Sequence, residues 1–245
     1  MHNKKLLHKE FVKSHALVKR SSRKMQSESE TFKSALYIAA YSMIEAKLVP
    51  ALHKYQNTIM LKSKQLSKKI KGRGNESDLP VRLIRNFSFY SMANEISNLK
   101  DTAHSLLSLD LNGTKKVNIN DQSAFLKELN LYTGYYFTPK EGDSKTNSEK
   151  IIHLSASLDL LSSKLKRMSN DFARYNSSGS RLSVANTTSK ICTRVKSNDA
   201  FISSYARESK STIEPEVAHN LLESIDLLTK GINKFTEKCI SEIRS

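Results

Sequence analysis

Seven histidines and two cysteines are the side chains of this 245-residue chain best suited to metal binding or nucleophilic attack, so their spacing is the first test for chemistry. No histidines stand in an HxH, HxxxH or HExxH arrangement, which would place two imidazoles on one metal. His8 and His15 can share a helical face, but no third ligand accompanies them. Cys192 and Cys239 form no CxxC pair and read as small core residues in a reducing compartment rather than as nucleophiles. Gly72-Arg73-Gly74 lacks the third glycine of a dinucleotide loop and the Gly-Lys-Ser/Thr of a phosphate loop, and it follows a helix rather than a strand. Asp110-Leu111-Asn112-Gly113 resembles the start of a calcium loop. Its glycine comes too early, however, and the sixth position, where the sharp turn needs glycine, is Lys115. Both glycine segments are expected to stop helices. The residues thus predict no catalytic site, no metal and no cofactor.

Charge is the second possible source of function. The net charge is +16. Residues 1–74 hold 17 Lys/Arg against four acids, whereas residues 75–245 hold 23 against 20. Such a field draws in polyanions without specifying which. Two groups of cations carry it. On a first helix over residues 3–20, Lys5, Lys9, Lys13, Lys19 and Arg20 share one face, while Leu7, Phe11 and Val18 share the other. That apolar face suits an anionic membrane surface or a partner groove, or simple docking on the rest of the chain. Further on, Lys62, Lys64, Lys68, Lys69, Lys71 and Arg73 follow one another with no acid between them. Cations suit a helix C-terminus, but six exceed that need, so a polyanion contact is expected.

The elements that carry these residues are helices. Seven glycines and four prolines are few for this length, which argues against a turn-rich sandwich or barrel. A capping box at Ser27 and Glu30 opens a helix over 31–71 that contains Pro50, where a kink is expected. Pro80 starts a helix running through Phe89, Met92, Ile96, Leu99, Ala103 and Leu106 to a stop at Asn112-Gly113. A short helix spans 121–132, and Tyr135-Tyr136-Phe137 begins an irregular connection. From Ile151 through Leu154, Leu158, Leu161, Leu165, Met168 and Phe172 to Tyr175, spacings of three and four alternate without error. Ala218, Leu221, Ile225, Leu228, Ile232, Phe235 and Cys239 repeat them. Between these lies a weaker seam at Val184, Thr188, Ile191, Val195, Asn198, Ile202 and Tyr205, with Thr188 and Asn198 as polar members.

An apolar return of 3.5 residues keeps each helix against one neighbour at near-parallel crossings. The predicted fold is therefore all-α: an elongated up-and-down bundle with coiled-coil-like heptads. Residues 1–26 form the basic helix and connector, and residues 27–245 form a single bundle. No apolar run approaches the length of a membrane span, and Lys9, Glu10 and Lys13 interrupt any signal-peptide core. A cytoplasmic location is expected, with signal-independent secretion compatible.

Together these features predict a non-catalytic scaffold or adaptor whose basic first third binds an acidic protein or an anionic membrane. The alternatives are a structural protein that places the same lysines on nucleic-acid phosphates, and an enzyme with an unfamiliar helical site. Self-association through the seams is compatible with each.

Overall fold

Residues 9–21, 28–70, 82–83, 92–109, 119–139, 147–175, 179–207 and 213–243 are described in the computed structural model of this chain. The three-four spacing does in three dimensions what it demands in one. Helix α1 is Lys9–Ser21, α2 is Glu28–Met43, α3 is Val49–Ile70, α4 is Ala93–Ser105 and α5 is Ile119–Thr133. The long helices α6 (Asn147–Tyr175), α7 (Ser180–Arg207) and α8 (Pro215–Phe235) follow. The fold class is all-α, a helical bundle with heptad seams.

On α6, Ile151, Leu154, Leu158, Leu161, Leu165, Met168 and Phe172 are all buried, and on α8 so are Ala218, Leu221, Ile225, Leu228, Ile232 and Phe235. Each large apolar side chain moved fully from water contributes about 1.5–3 kcal/mol. The run from Ser34 to Tyr41 is buried on every side of α2, as a helix surrounded by others must be. Within the longer stretch Glu30–Leu66 an 18-residue window reaches a mean hydropathy of 1.3, enough by length and composition for a membrane span. Lys33, Glu45 and Lys47 still interrupt that stretch, so no unbroken apolar run of span length stands in it. With 72% of the window buried inside the protein, its apolarity serves the core.

Contacts divide the chain into two compact units. The first comprises Met1–Ile44, Leu99–Ala156 and Asn198–Glu223; the second comprises Glu45–Asn98, Ser157–Ser197 and Ser224–Ser245.

Four local departures have physical reasons. The helix expected over 31–71 is interrupted by a π turn at Ile44–Leu48, just ahead of Pro50. Proline has no N–H for the carbonyl of Ala46 and crowds it, and a widened turn accommodates both faults. A second π turn, Thr236–Ile240, ends α8 and buries Thr236, Cys239 and Ile240. On α7 the core position is Cys192 rather than Ile191, which is half-buried. The helix expected to reach Asn112 ends at Ser105, where Leu106 and Leu107 donate to the carbonyls three residues back. Ser108–Leu109 then pairs in parallel with Thr138–Pro139. Asn130 prepares that pair: its side-chain amide donates to the Phe137 carbonyl at 3.2 Å and accepts from the Phe137 N–H at 2.7 Å, as a neighbouring strand would. Phe137 is thereby held in an edge-to-face cluster with Tyr41 and Tyr135. The start of the expected Pro80 helix and the Ser27 cap lie outside the described residues.

Gly231 offers a test of the α8 packing. A Cβ there would meet two carbons of Ile191 at 3.5 Å, an ordinary contact, and no left-handed backbone is required. Gly231→Ala is therefore expected to stabilise the protein by about 0.5–1 kcal/mol, from helix propensity alone. Urea unfolding should show a raised midpoint; a lowered one would mean that the helices cannot yield at this point.

Candidate functional site

Polar side chains inside an apolar seam cost stability unless they are paired, so a group of them marks where the bundle carries something other than packing. The first unit contains such a layer across α6, α7 and α8. Ser155 of α6 donates its hydroxyl to Asp199 Oδ1 of α7 at 2.7 Å. On the preceding position of α7, the Asn198 amide donates to Glu223 Oε2 of α8 at 2.8 Å and to the Asn220 carbonyl at 3.2 Å. Ser155 and Asn198 are only 3% and 2% exposed, which makes their bonds structural necessities rather than surface decoration. Adjacent positions on a helix point about 100° apart, which lets Asn198 and Asp199 reach different neighbours. Chemically the layer supplies two carboxylates, each holding a hydrogen-bond donor, and carboxylates in such settings can take and return a proton. The heptad pattern singles out Asn198 as polar in the seam but misses its partner Glu223 and the neighbouring Ser155–Asp199 pair, because helix-to-helix register is not written in one chain's periodicity.

A further carboxylate lies within the second unit. Glu95 Oε1 of α4 meets Lys164 Nζ of α6 at 2.6 Å. Its other oxygen is buried with no partner among the described residues. The same holds for Glu45 Oε1 on the first π turn.

Both cysteines are packed into the core. Both are buried, and burial pushes each thiol up to about 12, against which Lys166 near Cys192 and Arg181 near Cys239 act only weakly. A thiolate is the reactive form, so burial of this kind disfavours reaction of these thiols at neutral pH. At pH 8 an aromatic disulfide reagent is expected to count about zero thiols in the folded protein and about two in denaturant. Rapid reaction of either thiol without denaturant would contradict the burial. The shifts also set a pH response. A thiol held protonated by folding stabilises the fold fully below its unfolded pKa, and that contribution is lost as pH rises from 9.0 towards 12.

The residues expected to meet a membrane or groove are placed as follows. Phe11 and Val18 are 2% and 0% exposed, with the Phe11 ring 4.7 Å from that of Phe32 on α2, so this face is docked on the bundle and unavailable to a bilayer. Leu7 lies outside the described residues. Of the expected polyanion contacts, Lys9, Lys13, Lys19 and Arg20 are exposed on α1; Lys13 pairs with Glu10 at 3.8 Å and Arg20 sits over the Tyr132 ring at 5.4 Å. On α3, Lys64 and Lys68 are placed at or near the surface, while Lys62 donates to the Ile243 carbonyl at 2.9 Å. The Lys69 side chain, Lys5, Lys71 and Arg73 lie outside the description. Among the described residues no three His, Cys, Asp or Glu side chains are grouped to hold a metal ion.

Comparison with known proteins changes the reading of these residues. A family profile described as lyase matches residues 2–190. The class II fumarate hydratase of Staphylococcus epidermidis is 27% identical over 253 residues, covering 88% of this chain and 55% of the relative. That of Staphylococcus aureus gives the same figures. The chain therefore spans about half the length of the curated relatives it matches. Among solved structures, the class II fumarase of Schistosoma mansoni superposes with a TM-score of 0.72 at 16% identity, over 89% of this chain and 56% of that one. The fumarate lyase:delta crystallin of Brucella melitensis does so with 0.70 at 17% identity, over 89% and 57%. At such identities these superpositions establish the fold. The profile match overturns the expectation of a non-catalytic scaffold or adaptor, and with it the nucleic-acid alternative, because both assumed a chain outside any enzyme family. By the match over residues 2–190, the chain belongs to the lyase family.

Proposed function

We propose that this chain is a fumarate-hydratase-like lyase, adding water across a carbon–carbon double bond flanked by carboxylates and removing it in reverse. The supporting observation is the family match over residues 2–190, together with fumarate hydratases as the curated relatives. In the eliminating direction a base removes a proton from the carbon next to a carboxylate, and the neighbouring hydroxyl leaves with a proton as water. Cations that hold the substrate's carboxylates favour the carbanion-like charge that develops there. The excess of Lys and Arg suits that task, since a positive field concentrates a dianion and speeds its arrival. On this reading the exposed cations of α1 and α3 serve to attract substrate rather than an acidic macromolecule.

Self-association is part of the proposal. Leu160 of α6 in the second unit and, separately, Phe201 of α7 in the first are large apolar side chains turned to solvent, each of a kind that a second copy would cover. A cytoplasmic location accords with two unpaired thiols.

The test is hydration of fumarate by the purified chain, followed as loss of its ultraviolet absorbance and as formation of the 2-hydroxy diacid. Turnover saturating with fumarate is the expected result. No turnover at high protein concentration, with the fold intact by circular dichroism, would sink the proposal. Asp199→Asn and Glu223→Gln refine it. If the polar layer holds the base, kcat falls by about 10²–10⁴; if the layer only ties helices, kcat holds while the unfolding midpoint drops.

A further inference from the structure

We propose that α1 is an acid-released strap, docked on its neighbours while His15 is neutral and loosened when that imidazole gains a proton. The seat is defined by geometry. Phe11 and Val18 bury their side chains two turns apart on one face, and the Phe11 ring packs on Phe32 of α2. His15 lies along the same seat, its ring stacked on Phe11 at 5.9 Å with 23° between planes. The imidazole is thus half enclosed by the contact that holds the helix down.

The charges around it decide the direction. Burial disfavours the protonated ring most, and Lys19, one turn along α1, repels it. Glu28 of α2 attracts it but more weakly, and the balance holds the imidazole below its ordinary value. Of the other charged groups of α1, Glu10 pairs with Lys13, Arg20 lies over the ring of Tyr132 on α5, and Lys9 is exposed at the start of the helix. An undocked α1 returns His15 to water, where it takes a proton more readily. Acid therefore favours the undocked form. The loss of docking sets in as pH falls through the ordinary histidine value of 6.5 and levels off below the depressed one.

Amide hydrogen exchange tests this on the full chain. Protection factors for residues 9–21, corrected for intrinsic rates and referred to those of α6, are compared at about pH 7.5 and about pH 5.5, on either side of the histidine titration. In the native sequence α1 protection is expected to fall several-fold in acid while α6 holds. His15→Gln should remove the fall, and Lys19→Gln, which leaves the ring in place, should shrink it. Phe11→Ala, expected to lower α1 protection at both pH values, verifies that exchange reports docking. Equal protection at the two pH values in the native sequence, or an undiminished fall in His15→Gln, would overturn the proposal.

Discussion

Phe235→Ala is expected to lower the free energy of unfolding by about 3–5 kcal/mol. Phe235 is 0% exposed at the end of α8, and its ring stands edge-to-face on Phe172 of α6 at 5.8 Å. Its removal forfeits the transfer energy of an aromatic ring and leaves a hole that helices on either side cannot fully close. The second π turn begins at the next residue and buries Thr236, Cys239 and Ile240, so the walls of the hole are fixed by a second packed feature. Collapse is therefore limited and the upper part of the range is expected. Equilibrium urea unfolding reads the loss as a lower midpoint at similar slope. Phe172→Ala and the double variant complete a cycle, with about 0.5–1.5 kcal/mol of coupling expected for the ring pair itself. A loss below about 1 kcal/mol for Phe235→Ala would mean that the site refills.

Asn198→Ala should destabilise by about 2–3 kcal/mol, because a hydrogen bond to a charged group is lost and its acceptor stays half-buried. Asn198→Asp is the sharper probe. It keeps the size but sets a second carboxylate where the amide donated to Glu223 Oε2 at 2.8 Å. Two carboxylates so close cannot both be charged without cost, so the pair holds a proton more tightly in the folded state. A folded-state value raised above the unfolded one gives stability that is present in acid and lost as pH rises. Asn198→Asp should thus be worse than Asn198→Ala at neutral pH, with the gap closing as pH falls into the carboxylate range. Parallel denaturation curves at neutral and acid pH check this. A gap independent of pH would show that Glu223 is not the partner that matters.

The two expectations draw on features of unequal visibility in the sequence. Burial of Leu158, Leu165, Leu221 and Leu228 follows from the three-four spacing alone, because a face that returns every 3.5 residues has to meet a partner. The proline fault at Pro50 is equally local, and only the π turn ahead of it needed coordinates. The polar layer is half visible: Asn198 stands out among apolar neighbours, but Ser155 and Glu223 look like any surface residue until α6 and α8 are set beside it. Cys192 rather than Ile191 takes the buried position on α7, a distinction between adjacent apolar residues that a hydrophobicity pattern does not make. The enzyme family is not legible in any motif of histidines, cysteines, glycines or charges along the chain. Weak identity spread over 253 aligned residues is a signal that only comparison with other chains can collect.

Each π turn takes up one residue more than an α turn of the same height. Within Ile44–Leu48 the surplus is absorbed on the spot, and beyond it Leu52, Tyr55 and Ile59 of α3 are still buried in the core. Gene length can therefore drift by a single codon at Ile44–Leu48 without scrambling α3, the helix that follows, whereas the same change inside the unbroken run from Ile151 to Phe172 would swing every later leucine by about 100° towards water.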